Sequence, residues 1–230
     1  MRVRACDWEA GGRERAETTG LNRKVAHPQT SERGTMHIVL LGDSVFDNAP
    51  YTAGGPAVID HLRDLVGPEE RATLLAVDGH RVADVWSQLK KDSADGTHTF
   101  LSVGGNDALD CVELLSRPVS TAGEGLALLG EAVDGFADGY WDLLERLKAK
   151  VKRLQVCTIY NGNFGPEAPI LSTAVRLFDD AIQRAALAHA LPVIELRDLL
   201  NRPDHYANPI EPSVEGGRVL AEEIVRRVRG

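Results

Sequence analysis

The sequence predicts an α/β protein of three layers, α/β/α, with a five-stranded parallel sheet between the helices. Three observations carry that prediction. Short apolar runs alternate with longer segments whose apolar residues recur every three or four positions, the pattern of strand–helix–strand crossovers. The first run, Ile38-Val39-Leu40-Leu41, is continuously apolar rather than alternating, as a strand covered by helices on both faces reads. Each of the first three runs stops at a glycine-bearing polar stretch: Gly42-Asp43-Ser44, Asp78-Gly79-His80 and Gly104-Gly105-Asn106-Asp107. Polar chemistry therefore collects at the C-terminal edge of the sheet, where open α/β sheets bind ligands.

Taken in order, His37-Ile38-Val39-Leu40-Leu41 is the first strand, and Gly42 ends it. Asn48-Ala49-Pro50-Tyr51 reads as a turn, and Gly54-Gly55-Pro56 opens a helix running to about Val66, with Ile59, Leu62 and Leu65 or Val66 as its buried stripe. Ala72 to Val77 is the second strand, followed by a helix over Val82 to Lys90. Asp95-Gly96 turns the chain into the third strand, His98 to Val103. Between Leu126 and Leu147 the apolar spacings alternate between three and four, which predicts an amphipathic helix. Its interior Gly135 and Gly139 each cost about 1 kcal/mol against alanine and allow a break. Leu154 to Tyr160 is the fourth strand. A helix carrying Leu171, Val175, Phe178 and Ile182 follows, running to about Ala190. Pro192 to Leu196 is the fifth strand, and a polar loop, Arg202 to Pro212, leads to a last helix with Leu220, Ile224 and Val228. Residues 36–230 show no internal repeat and read as a single domain.

Residues 1–35 are different. They hold seven Lys/Arg and five Asp/Glu without apolar periodicity, and lack the apolar core of a secretory signal. They read as a disordered extension, or as translation assigned from a start codon upstream of Met36. Their net +2 leaves −10 for residues 36–230, against −8 for the whole chain. With that acidic balance and no dense basic patch, nucleic acid is not an expected partner. No apolar run approaches the roughly 20 residues of a membrane-spanning helix, so no membrane partner is expected. Three cysteines, an odd number without metal-ligand spacing, suggest a reducing, cytoplasmic setting. Oligomeric state is not encoded in any feature of the sequence.

A serine at a strand's C-terminal end is placed to act as a nucleophile if a base takes its proton and donors hold the oxyanion. The plain alternative for Ser44 is a helix N-cap. The three polar blocks, in this order and spacing, resemble those of the SGNH, or GDSL-type, esterases and lipases, and the resemblance covers most of the chain from Met36 onward. It implies a flavodoxin-like fold and a serine esterase acting on small carboxylic esters through an acyl-enzyme. Ser44 would be the nucleophile, and the Ser44 and Gly79 N–H groups with the Asn106 side chain would form the oxyanion hole. No cofactor is implied. Asp43, Asp47, Asp78 and Asp107 at the strand ends could suggest a metal cluster, but metal-free catalysis is expected.

The base departs from the family pattern. The last block of that family is Asp-x-x-His-Pro, and here Asn208 stands in the aspartate slot and Glu211 in the histidine slot, before Pro212. Three readings stay open: Glu211 is the base, with its pKa raised by burial; His205 or His80 substitutes; or the fold keeps a ligand-binding pocket and has lost catalysis. The plain alternative for Glu211 is a surface residue favoured by the dipole of the last helix. An acyltransferase sharing the acyl-enzyme is a further alternative. Substrate preference would lie in loops such as Asn161–Pro169 and Ser116–Gly125.

Overall fold

The computed structural model describes residues 35–89 and 95–230. All but the last residue of the extension 1–35, expected to be disordered, lies outside the described residues, as does Lys90 at the expected end of the second helix. Five strands form one sheet: β1 (His37–Gly42), β2 (Arg71–Leu74), β3 (His98–Ser102), β4 (Leu154–Cys157) and β5 (Val193–Ile194), in the order β2-β1-β3-β4-β5. Every pairing is parallel, as expected. All six residues of β1 are buried. The two-residue period of a strand divides them between two cores. Ile38 and Leu40 join Phe100 and Cys157 in one; Val39 and Leu41 join Leu101 and Val156 in the other.

Seven α-helices accompany the sheet: α1 (Val58–Leu65), α2 (Val85–Gln88), α3 (Gly105–Asp110), α4 (Ala122–Lys148), α5 (Ala168–Ala188), α6 (Leu196–Leu199) and α7 (Val214–Arg229). The first core packs under α1 and α7, through Val58, Leu62, Leu220 and Ile224. The second packs under α4 and α5, through Tyr140, Leu144, Phe178 and Ile182. These are the two outer layers expected from the alternation of elements. Helix α4 runs unbroken for 27 residues, through Gly135 and Gly139. Thr121 caps it by accepting the Glu124 N–H at 3.1 Å. Burial of Phe136, Tyr140, Leu143, Leu144 and Leu147, at about 1.5–3 kcal/mol each, outweighs the two glycine penalties.

The strands after β1 are shorter than the sequence suggests. Past Leu74 the chain still follows β1 but loses regular register: the N–H groups of Leu75 and Ala76 both donate to the Leu40 carbonyl. Past Cys157 a side chain takes over the ladder, since the Ile159 N–H donates to Asp179 Oδ1 at 2.7 Å. The segment expected as one helix from Val82 is a 3₁₀ turn (Val82–Asp84) followed by the short α2. Short polar helices such as α3 carry no apolar period long enough to be read from sequence.

Register aligns the strand ends. Gly42 pairs with Ser102, so the polar blocks after β1 and β3 emerge side by side. The approach is close: a Cβ on Gly42 would lie 1.7 Å from the Ser102 carbonyl oxygen, at a φ of +130°. Only glycine fits there.

Candidate active site

Asp43 opens the turn after β1. Its N–H donates to the Ser102 carbonyl at 3.0 Å, and its Oδ1 accepts the Val45 N–H at 3.1 Å. Ser44 therefore caps no helix; it stands in a turn locked by its neighbour, 7% exposed. Gln88 of α2, buried, braces the turn from below. Its Oε1 accepts the Gly42 N–H at 2.9 Å and its Nε2 donates to the Gly42 carbonyl at 2.7 Å.

Three donors stand at this edge of the sheet, of which those of Ser44 and Asn106 belong to residues lining the cleft. The N–H groups of Ser44 and Gly79 have no partner among the described residues. Gly79 sits at φ +79°, with nothing within 4 Å of where a Cβ would be, so its peptide is open to an incoming group. Asn106 lies at the start of α3, and its Nδ2 donates one hydrogen to the His80 carbonyl at 3.0 Å. That bond ties the blocks after β2 and β3 together and leaves the second amide hydrogen free. Asp78 is held in turn: its N–H donates to Asp47 Oδ2 at 3.0 Å and its Oδ2 accepts the Tyr51 hydroxyl at 2.7 Å.

Glu211 comes from the far end of the chain, on the loop before α7. It is not a surface residue; 6% of it is exposed. Nor does it cap α7, whose N-cap is Ser213, accepting the Gly216 N–H at 3.1 Å. The loop is clamped at four points. Tyr206 and Pro212 form an antiparallel bridge, and the Asn163 N–H donates to the Pro209 carbonyl at 2.8 Å. The Tyr160 hydroxyl donates to the Ile210 carbonyl. Asn48 Nδ2 donates to the Pro212 carbonyl at 3.1 Å, while its Oδ1 accepts the Val58 N–H at 2.9 Å. Asn208, in the slot of the family's aspartate, accepts the N–H groups of Ile210 and Glu211, both at 2.9 Å. It shapes the backbone under Glu211 rather than orienting its carboxylate.

Burial pushes the Glu211 carboxyl above the usual carboxylate range, the Ser44 hydroxyl near it pulls it partly back, and the nearby Asp78 adds to the rise. Glu211 Oε2 is buried without a hydrogen-bond partner. Burial also pushes Asp43 up to about 8, against the Val45 N–H that favours its charged form. No lysine, arginine or histidine forms an ion pair with Glu211 or Asp43 among the described residues. A carboxylate held near a hydroxyl in such a setting has the basicity that an exposed one lacks.

The histidines stand elsewhere. His205 packs beneath α7, where Ser213 donates its N–H to the His205 carbonyl at 2.9 Å. Its ring is buried among Arg202, Asp204, Glu215 and Arg218, with its pKa lowered chiefly by burial, and it does not line the cleft that contains Ser44 and Glu211. His80 is nearer, but Gln88 Nε2 lies 3.0 Å from its Nδ1. Because Gln88 is a donor there, Nδ1 must be the acceptor and Nε2 carries the proton. The acceptor nitrogen of His80 is thus already occupied. His37 and His98 lie at the opposite, N-terminal edge, at the starts of β1 and β3.

Among the described residues no group of His, Cys, Asp or Glu is arranged to hold a metal ion. The acidic side chains at the strand ends are bonded to backbone or hydroxyl groups instead. Asp107, for one, accepts the Val82 N–H at 3.2 Å through Oδ2.

Solved structures that superpose on this fold include esterases and lipases. An acetyl xylan esterase, AlAXEase, superposes with a TM-score of 0.63 at 16% identity, over 84% of this chain and 100% of its own. The lipase/acylhydrolase from Enterococcus faecalis gives 0.61 at 23%, over 85% and 96%. A member of the lipolytic protein G-D-S-L family from Veillonella parvula gives 0.60 at 16%, over 84% and 97%. The chain has the fold of the GDSL-type hydrolases. No family model and no curated protein matches the sequence itself. Within this GDSL-type fold the strand-end serine and the Gly79 and Asn106 blocks occupy one sheet edge, as their order in the sequence implies.

Gln88, Asn48 and Tyr160 support the site and were not singled out in the sequence. Each is a lone polar or aromatic residue in an otherwise unremarkable segment, and only the fold reveals its partners. Asn48, four residues after Ser44, offers the nearest thing to a signal, being an amide directly after the nucleophile turn.

Proposed function

We propose that the protein is a serine carboxylic-ester hydrolase working through a Ser44–Glu211 dyad. The observation that carries this reading is the buried Glu211 carboxylate in the same cleft as Ser44, beside unpaired N–H groups at the sheet edge. Ser44 Oγ attacks the ester carbonyl carbon and its proton passes to Glu211. The carbonyl π pair becomes the oxyanion, received by the N–H groups of Ser44 and Gly79 and the amide of Asn106. Collapse breaks the bond to the alcohol oxygen, which leaves with the proton from Glu211. Water then attacks the acyl-enzyme, giving its proton to Glu211, and Ser44 Oγ departs with that proton as the acid is released.

The test is hydrolysis of aryl esters by the full chain, alongside labelling by a fluorophosphonate. Wild type hydrolyses the ester and is labelled at Ser44, and Ser44→Ala loses on the order of 10⁴-fold or more in kcat. Glu211 must be ionised to act, so kcat/KM rises with pH through its folded-state pKa. The acid limb therefore falls above the ordinary carboxylate range, as burial dictates. Equal rates for wild type and Ser44→Ala, with no labelling, would sink the proposal.

A further inference from the structure

The esterase reading leaves open which part of an ester is gripped. Ser44, Asn106 and Glu211 sit in the wall of a cleft of about 870 Å³, part of it open to solvent. Among the described residues its only acidic or basic lining residues are Asp43 and Glu211, both at the serine end. Away from that end the walls are aliphatic and aromatic: Leu109, Val112 and Leu115 on one side, Leu129 of α4 and Leu171 and Val175 of α5 on the other. Leu109, Val112 and Leu115 are 37–39% exposed, although large apolar side chains gain by leaving water. An elongated apolar guest would cover them.

An ester has two arms, and the mechanism treats them differently. The alcohol must leave and water must replace it at the same carbon, whereas the acyl arm stays bound through both steps. An apolar cleft starting at the nucleophile suits the arm that stays. We infer that this cleft holds the acyl chain, and that the protein prefers esters of unbranched fatty acids longer than butyrate over acetates. The inference rests on the Ser44 esterase reading for its orientation, but the cleft and its apolar walls do not depend on it.

The experiment is a series of p-nitrophenyl esters from acetate to decanoate, with methyl to octyl acetates as the second arm. With the acyl chain in the cleft, kcat/KM rises by up to about fourfold per methylene, the equivalent of about 0.8 kcal/mol per buried CH₂, while lengthening the alcohol gives no comparable gain. Ala174→Phe, which fills the cleft from α5, lowers the octanoate-to-acetate ratio at least tenfold. Acetate as the best acyl group, or a gain that follows the alcohol instead, overturns the inference and leaves the esterase reading standing. If no ester is hydrolysed, binding of methyl octanoate to Ser44→Ala, followed by chemical-shift changes, decides. Binding well above that of methyl acetate upholds the apolar cleft without the esterase. Equal or no binding overturns it.

Discussion

The two halves of the site are built by different means. The serine half, Ser44 with Gly79 and Asn106, follows three adjacent parallel strands; the register of β1 and β3 sets Ser44 beside Asn106, and the Asn106–His80 bond ties in the Gly79 block. The other half, Glu211, which we propose as the base half, hangs from a loop with no regular structure, held by side chains reaching in from Asn48 and Tyr160. A register is shared by every residue along a strand, so it survives many substitutions. A clamp depends on single contacts and can be rebuilt around a different residue. That difference explains why the serine half follows a recognisable pattern while the base half departs from it.

The contrast can be probed from its strongest consequence to its weakest. Glu211→Gln removes the proton acceptor while keeping shape, and kcat should fall on the order of 10⁴-fold. Glu211→His recovers part of that activity if the loop tolerates either base, with the acid limb moved towards about 6.5; a stopped assay across pH reads both. A Glu211→Gln variant as active as wild type would show that the base half is elsewhere. Asn106→Ala, in the serine half, should cost about 10²–10³ in kcat by removing one oxyanion donor, with little change in the acid limb. Asn48→Ala strands the buried Val58 N–H and Pro212 carbonyl. It should destabilise the protein by about 1–3 kcal/mol in urea titration.

A further effect concerns pH and stability. Asp43 has a folded-state pKa near 8 against an ordinary value of 3.8. Between those values the folded protein holds a proton that the unfolded chain has lost, so this group's contribution to stability declines as pH rises through that window. Asp43→Asn, which retains an acceptor for the Val45 N–H, should therefore raise Tm more at pH 8 than at pH 5. Equal shifts at the two pH values would show that Asp43 is not held neutral.

Much of this was legible in the sequence because it rests on periodicity and punctuation. Continuous apolar runs such as Ile38–Leu41 specify buried parallel strands, and the glycine-bearing stops place Ser44, Gly79 and Asn106 on one edge. Glu211 was legible only as a departure from pattern, since nothing local to it encodes its burial. His205 illustrates the limit: six residues from Glu211 in sequence, it packs under α7 among charged groups because its own turn directs it there. Likewise, the extent of β2 and β4 was overestimated, since apolar content continues past the point where side chains replace the ladder.

Asn48 has a consequence for how the protein comes into being. It joins the nucleophile turn to a carbonyl 164 residues further along the chain. Contacts of such sequence separation form late, after the entropy of closing the intervening loop has been overcome. During synthesis, the strands bearing Ser44 and Asn106 leave the ribosome long before Glu211 does. The nascent chain therefore presents Ser44 and Asn106 before Glu211 exists, and the proposed dyad is complete only once the loop ahead of the last helix is in place.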